Sequence, residues 1–173
     1  MPLRRKAKPL RRPKTPRDDA WGYLVGLLSH RPRTEQEARQ RLQQRGIPYD
    51  EIERLIGQAR DAGLIDDRLF AKLWVEDRLT NRPLARRAIS RELAERGIDP
   101  VLADRALAAG YPASKEPEIA LRLARSRYER LRTIADPDKR TRRVLGFLDR
   151  RGFSRDLAVR IVRQIEREET EDG

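Results

Sequence analysis

Three stretches of this chain align without a gap around a glycine, and this repetition restricts the fold more than any other feature. They are Leu42-Gln43-Gln44-Arg45-Gly46-Ile47, Leu93-Ala94-Glu95-Arg96-Gly97-Ile98 and Leu148-Asp149-Arg150-Arg151-Gly152-Phe153, with the glycines 51 and 55 residues apart. Eight residues before each glycine stands an apolar residue (Ala38, Ile89, Val144), and four before it a leucine. Ile52, Ala103 and Ala158 follow at plus six, and Ile56, Leu107 and Val162 at plus ten. The offsets up to plus one put apolar groups on one helical face and just beyond its end. Glycine there tolerates the left-handed conformation that closes a helix. The later offsets describe the stripe of the next helix. Asp50, Asp99 ahead of Pro100, and Ser154 stand where that helix should begin.

A further helix precedes each turn. Its stripes are Trp21, Leu24, Val25 and Leu28; then Phe70, Leu73 and Trp74, capped by Asp66 or Asp67; then Ala120, Leu123, Ala124, Tyr128 and Leu131. Breaks fall at Arg31-Pro32, Arg82-Pro83 and Ala135-Asp136-Pro137, and Thr34 with Glu37 forms a capping box. The expected fold is all-α: three tandem three-helix, helix-turn-helix-like repeats over residues 18–65, 66–112 and 113–166, in an elongated, curved array. A disordered basic tail, 1–17, and an acidic tail, 167–173, flank them. With 38% hydrophobic, 5% aromatic and 39% charged residues, the chain suits small modules burying one stripe each.

The residues offer little chemistry. Without cysteine there is no disulfide, thiolate metal site or thiol nucleophile, which fits a reducing cytoplasm. No apolar run approaches the roughly 20 residues of a membrane span. The basic N-terminus lacks the apolar stretch of a secretory signal. His30, the single histidine, ends the first helix, where the dipole favours a cation. Asp66 and Asp67 read as cap and first-turn residues rather than Mg²⁺ ligands, and Trp21 and Trp74 as core rather than base-stacking platforms. Neither a Gly-rich phosphate loop nor a nucleophile constellation can be assembled. The chain reads as a binding protein, not an enzyme, with no cofactor or metal.

Charge is more informative. The net charge is +12, and residues 1–17 carry eight basic side chains and no acid. Setting those aside, with the net −4 from Glu166 onward, leaves +8 for residues 18–165. The tail suits a non-specific phosphate clamp or a solubilising leader. Arg82, Arg86, Arg87 and Arg91 surround the stripe of Ala85, Ile89 and Leu93. Arg122 and Arg125 lie on the long helix of the third repeat, and Lys139, Arg140, Arg142 and Arg143 form a run without an acid at the start of the next. Cations there are unfavourable unless an anion is nearby. These ten residues are the candidate partner and nucleic-acid surface.

A helix-turn-helix transcriptional regulator is the alternative. Its reading helices would begin Asp50-Glu51-Ile52-Glu53 and Asp99-Pro100-Val101-Leu102-Ala103-Asp104, presenting acid to phosphate. Only the third, with Arg155, Arg160 and Arg163, suits a groove. A surface that follows a duplex or filament without reading bases agrees better with the charge. A helical adaptor touching only protein is a third possibility.

The stretch Gly63-Leu64-Ile65-Asp66-Asp67-Arg68-Leu69-Phe70-Ala71, then Arg78, Arg86-Arg87-Ala88-Ile89 and Glu92-Leu93-Ala94-Glu95-Arg96-Gly97-Ile98, resembles the RecX regulatory proteins of bacteria. The resemblance is close through 63–98, and the repeats extend it over roughly 19–166. It implies a tandem three-helix fold and a non-catalytic monomer that binds the RecA recombinase filament on single-stranded DNA, with double-stranded DNA a further ligand. It also implies inhibition of filament growth, ATP hydrolysis, strand exchange and coprotease activity, and so a role in recombinational repair and the SOS response. The basic leader and acidic end are not part of the family's motif.

Overall fold

A computed structural model describes residues 19–171; the basic stretch 1–17 and the last two residues lie outside the described residues. Among the described residues the regular structure is all helical: α1 (Ala20–His30), α2 (Glu35–Gln44), α3 (Tyr49–Asp61), α4 (Asp67–Asn81), α5 (Arg86–Glu95), α6 (Pro100–Gly110), α7 (Glu116–Glu129), α8 (Pro137–Arg150) and α9 (Arg155–Glu171). A single 3₁₀ turn, Ala113–Lys115, leads into α7. The chain divides into two units, one ending at Asp66 and the other beginning at Asp67.

The repeated glycines close α2, α5 and α8. Gly46, Gly97 and Gly152 have φ of 75°, 78° and 85°. Each turn carries the same two hydrogen bonds, from the glycine N–H to the carbonyl three residues back and from the next N–H to the leucine carbonyl (Ile47 to Leu42, Ile98 to Leu93, Phe153 to Leu148). This pairing satisfies carbonyls that a helix end otherwise leaves open. Gly63 closes α3 in the same way, with φ of 69°. All fifteen apolar positions at −8, −4, +1, +6 and +10 around the three repeated glycines are buried.

In the first unit these positions join Ala20, Leu24, Leu55, Ala59 and Ile65 in one core. Thr34 caps α2 by accepting from the Glu37 N–H at 3.1 Å. Arg39 and Arg60 both reach Glu35, and Arg39 also pairs with Glu53 at 2.8 Å, tying α2 to α3. The Arg39 guanidinium holds the Glu53 carboxyl below the usual carboxylate range.

The second unit has two cores. One gathers Phe70, Ala71, Val75, Ile89, Leu93 and Tyr111. The other gathers Tyr128, Val144, Leu148, Phe153, Leu157, Ile161 and Ile165, and it takes in Ala85 from the start of α5. The two meet at that point. The Ala85 N–H donates to the Arg151 carbonyl at 2.9 Å, and the Arg151 guanidinium returns to the Pro83 carbonyl at 2.6 Å. Ala85 supplies no side-chain cap to α5. Glu116 of α7 takes its place, accepting the Arg86 N–H at 2.8 Å. A β-carbon on Gly152 would stand 2.7 Å from that of Ala88, so only glycine permits this approach.

Several details differ from the sequence reading. Asp50 lies inside the first turn of α3, behind an uncapped Pro48, because helix and glycine turn are separated by only two residues. Leu73 is exposed; Ala71 and Val75 take the inward positions of α4. Helix α7 stops at Glu129, so the buried Leu131 sits in the following turn. The acid-rich end is not a tail as far as Glu171: α9 runs through it, held by Arg125 on Glu168 at 2.9 Å and by an Arg132–Glu169 contact at 4.0 Å.

Tyr111 is fully buried and its hydroxyl has no hydrogen-bond partner. Burial, then the nearby Glu116 charge, raises its pKa well above the ordinary tyrosine range. The neutral phenol is therefore favoured in the folded state. Stability from this group is complete below the unfolded pKa near 10 and falls as pH rises beyond it. Tyr111→Phe should match or exceed the wild type by up to about 1 kcal/mol at neutral pH, since no bond is lost. Thermal midpoints at neutral pH and about pH 11 check this, with a smaller alkaline drop expected for the variant.

Candidate partner and nucleic-acid interface

The ten candidate cations fall into two groups. Four are committed within the protein. Arg86 donates to the Leu107 carbonyl at 3.0 Å. Arg87 donates to the carbonyls of Gly152 and Phe153. Arg125 binds Glu168. Arg140 lies over the Tyr128 ring, 5.2 Å from its centre. These arginines brace the second unit. The other six, Arg82, Arg91, Arg122, Lys139, Arg142 and Arg143, are exposed. Arg91 is 3.8 Å from Glu95, and Arg142 is 4.0 Å from Asp136.

Three of the exposed six converge with residues the sequence reading left out. Lys139, Arg142 and Arg143 line a groove of about 420 Å³ with Arg127 of α7 and Gly146 and Arg150 of α8. Along α8 these stand at i, i+3, i+4, i+7 and i+11, a single helical face. Val144 and Leu148 occupy the buried side. Arg127 lies 5.7 Å from the centre of the Phe147 ring, and its Nε is buried without a hydrogen-bond partner. The spacing made Arg150 accessible from the sequence; that Arg127, and not Arg122 or Arg125, is the α7 residue lining the groove depends on how the two helices cross.

On the α9 side of α7, arginines of α7 and the turn after it are paired with acids of α9. Glu168 and Glu169 face Arg125 and Arg132, and Thr141 hydrogen-bonds to Glu166. Gln164 and Arg125 hold the Glu168 carboxyl below its ordinary value. Burial, then Glu169, pushes the Tyr128 phenol up.

Trp74 is already stacked by the protein itself. Its Nε1–H donates to Glu92 at 3.0 Å, Phe70 stacks at 5.6 Å, and the guanidiniums of Arg78 and Arg96 each lie 4.0 Å from the ring centre. The exposed His30 hydrogen-bonds to the Gly26 carbonyl at 2.7 Å. Among the described residues, no group of three His, Cys, Asp or Glu side chains could hold a metal ion, and no helix is long and apolar enough to cross a membrane.

Glycine-closed three-helix units bearing exposed cationic helices define a tandem, helix-turn-helix-like class of protein. Family models described as the first and second three-helix domains of RecX match residues 20–58 and 66–107. The chain is 38% identical over 160 residues to the regulatory protein RecX of Streptomyces coelicolor, covering 92% of this chain and 84% of that protein. It is also 38% identical over 145 residues to the regulatory protein RecX of Thermobifida fusca, covering 84% and 77%. The chain belongs to the RecX family of regulatory proteins. A crystal structure of RecX from Lactobacillus salivarius shares the fold, with a TM-score of 0.73 at 23% identity over 87% of this chain and 97% of that one.

Proposed function

We propose that this chain binds the RecA filament on single-stranded DNA and inhibits its growth, ATP hydrolysis, strand exchange and coprotease activity. It would act without catalysis, as a cytoplasmic monomer, and so temper recombinational repair and the SOS response. Family membership supports the target. The observation that carries the site is the row of exposed cations on α8, which no acid of α9 faces directly within the groove. Occupying the filament groove would exclude a second DNA and restrict the protomer rotation that accompanies ATP turnover.

The transcriptional-regulator reading has less support. The first turn of α3 holds Asp50 and Glu51. In α6 the first turn itself carries no acid, yet its N-cap is Asp99, which accepts the Val101 N–H at 2.8 Å.

The test is the DNA-dependent ATPase of RecA with this protein titrated in. Inhibition is expected well below one protein per RecA protomer, which would mark an effect on filament growth. Replacing Lys139, Arg142 and Arg143 by alanine should weaken inhibition about ten-fold or more at low salt and lower the salt slope by about 2, at roughly 0.7 per phosphate contact. Wild-type inhibition and slope in that variant would overturn the assignment.

A further inference from the structure

We infer that the acidic end of α9, residues 166–171, is an autoinhibitory latch. It occupies Arg125 and Arg132 as an internal counter-anion, and a polyanionic partner must displace it to reach them. The inference goes beyond the filament-binding reading and rests on it only for the partner's charge.

The last buried side chain of α9 is Ile165. Residues 166–171, Glu-Arg-Glu-Glu-Thr-Glu, hold four acids, one base and no apolar side chain. Polar contacts alone therefore fix this end to the body. Glu166 hydrogen-bonds to Thr141 of α8, and Glu168 pairs with Arg125 at 2.9 Å. Glu169 lies 4.0 Å from Arg132, which also pairs with Glu129 at 2.9 Å.

Left to itself, this is a poor way to end a helix. The dipole favours cations at a helix C-terminus, and no base stands in the last turn of α9. Like charges also meet at i, i+3, Glu166 with Glu169 and Glu168 with Glu171. The arginines of α7 and its following turn offset both costs. For stability alone, lysine or glutamine would serve these positions better, so the acids fit a role in covering the arginines.

The contact has a strength that a ligand can exchange. Its partners stay open to water, with side-chain exposures of 52% and 41% in Arg125–Glu168 and 62% and 33% in Arg132–Glu169. Such pairs contribute little and are screened by salt. Arg122, exposed one turn before Arg125, is available to a polyanion from the start. Releasing the helix end adds Arg125 and Arg132 to it, at i+3 and i+10. A partner that meets all three arginines binds the open state better and draws the latch toward it.

The experiment measures anisotropy of a labelled oligothymidylate with the full chain and no RecA, at low salt. Glu168→Gln/Glu169→Gln should tighten binding about five-fold, within what two exposed ion pairs can withhold. Asp50→Asn/Glu51→Gln removes two acids from the first unit and should bind within about two-fold of wild type. Adding Arg125→Gln/Arg132→Gln to the α9 variant should remove most of the gain. A gain that survives the loss of those arginines is an effect of net charge and overturns the inference. So does an α9 variant that binds no tighter than the first-unit control. The wild type gives an independent reading by hydrogen exchange: on adding oligothymidylate, amides 166–171 should exchange faster while 158–162 stay protected. Slower exchange at the helix end overturns the latch. The same variants are assayed for inhibition of RecA ATPase, where the α9 variant should inhibit more strongly than wild type. Wild-type inhibition with wild-type oligothymidylate affinity in that variant overturns the latch and leaves the filament reading standing. Tighter oligothymidylate binding, with no inhibition of RecA by any of the proteins, supports the latch and removes the filament reading.

Discussion

Gly152→Ala is expected to destabilise the second unit by roughly 2–5 kcal/mol, whereas Gly46→Ala should cost only roughly 1–2. Both glycines are left-handed, so both substitutions meet the same backbone penalty. They differ in surroundings. Nothing lies within 4 Å of a β-carbon at Gly46, while at Gly152 it would meet Ala88 at 2.7 Å and Ala85 at 3.5 Å. Relief would require α5 to retreat from the turn, stretching the Ala85–Arg151 hydrogen bond and lifting Arg87 from the Gly152 and Phe153 carbonyls. Urea unfolding followed by fluorescence reads each substitution in its own unit: Gly152→Ala in a Trp21→Phe background, where Trp74 alone reports, and Gly46→Ala in a Trp74→Phe background, where Trp21 alone reports. Equal losses at the two glycines would show that the contact with Ala88 is slack.

Trp74→Ala should cost about 3 kcal/mol, and Glu92→Ala about 2, with strong coupling between them in a double-mutant cycle. Glu92 accepts from both the indole at 3.0 Å and Arg78 at 2.6 Å, joining α4 to α5. Removing the acid leaves a half-buried indole donor unpaired and takes from Arg78 one of its two carboxylate partners, Asp77 being the other. Circular dichroism follows the loss, since the alanine variant removes the fluorophore. Trp74→Phe keeps an aromatic ring beside Phe70 and should leave oligothymidylate affinity unchanged. A marked fall in that affinity, with stability intact, would reassign the ring to base stacking.

The repeat was legible because each glycine turn imposes the same geometric demand three times. The offsets that satisfy it became the buried positions of three small cores. Leu73 was misplaced because i+3 and i+4 neighbours are both consistent with a short stripe, and Ala71 is too small to announce itself. The cations were harder. Arginine serves equally as a solvated charge, a carbonyl donor or a ring partner, and the choice depends on what another helix brings near. Thus Arg86 and Arg87 are spent on carbonyls of other elements, while Arg143 remains exposed. Arg127 could be assigned to the groove only after α7 and α8 were placed together.

The carboxylate of Glu116 that caps α5 has a consequence for dissecting the molecule. The second repeat borrows its helix start from a residue thirty positions downstream, so a stop codon after residue 112 would strand a helix rather than liberate a domain. Cleavage between Asp66 and Asp67 follows a natural seam. For anyone splicing or swapping parts of this chain, the interchangeable pieces number two, even though its sequence counts to three.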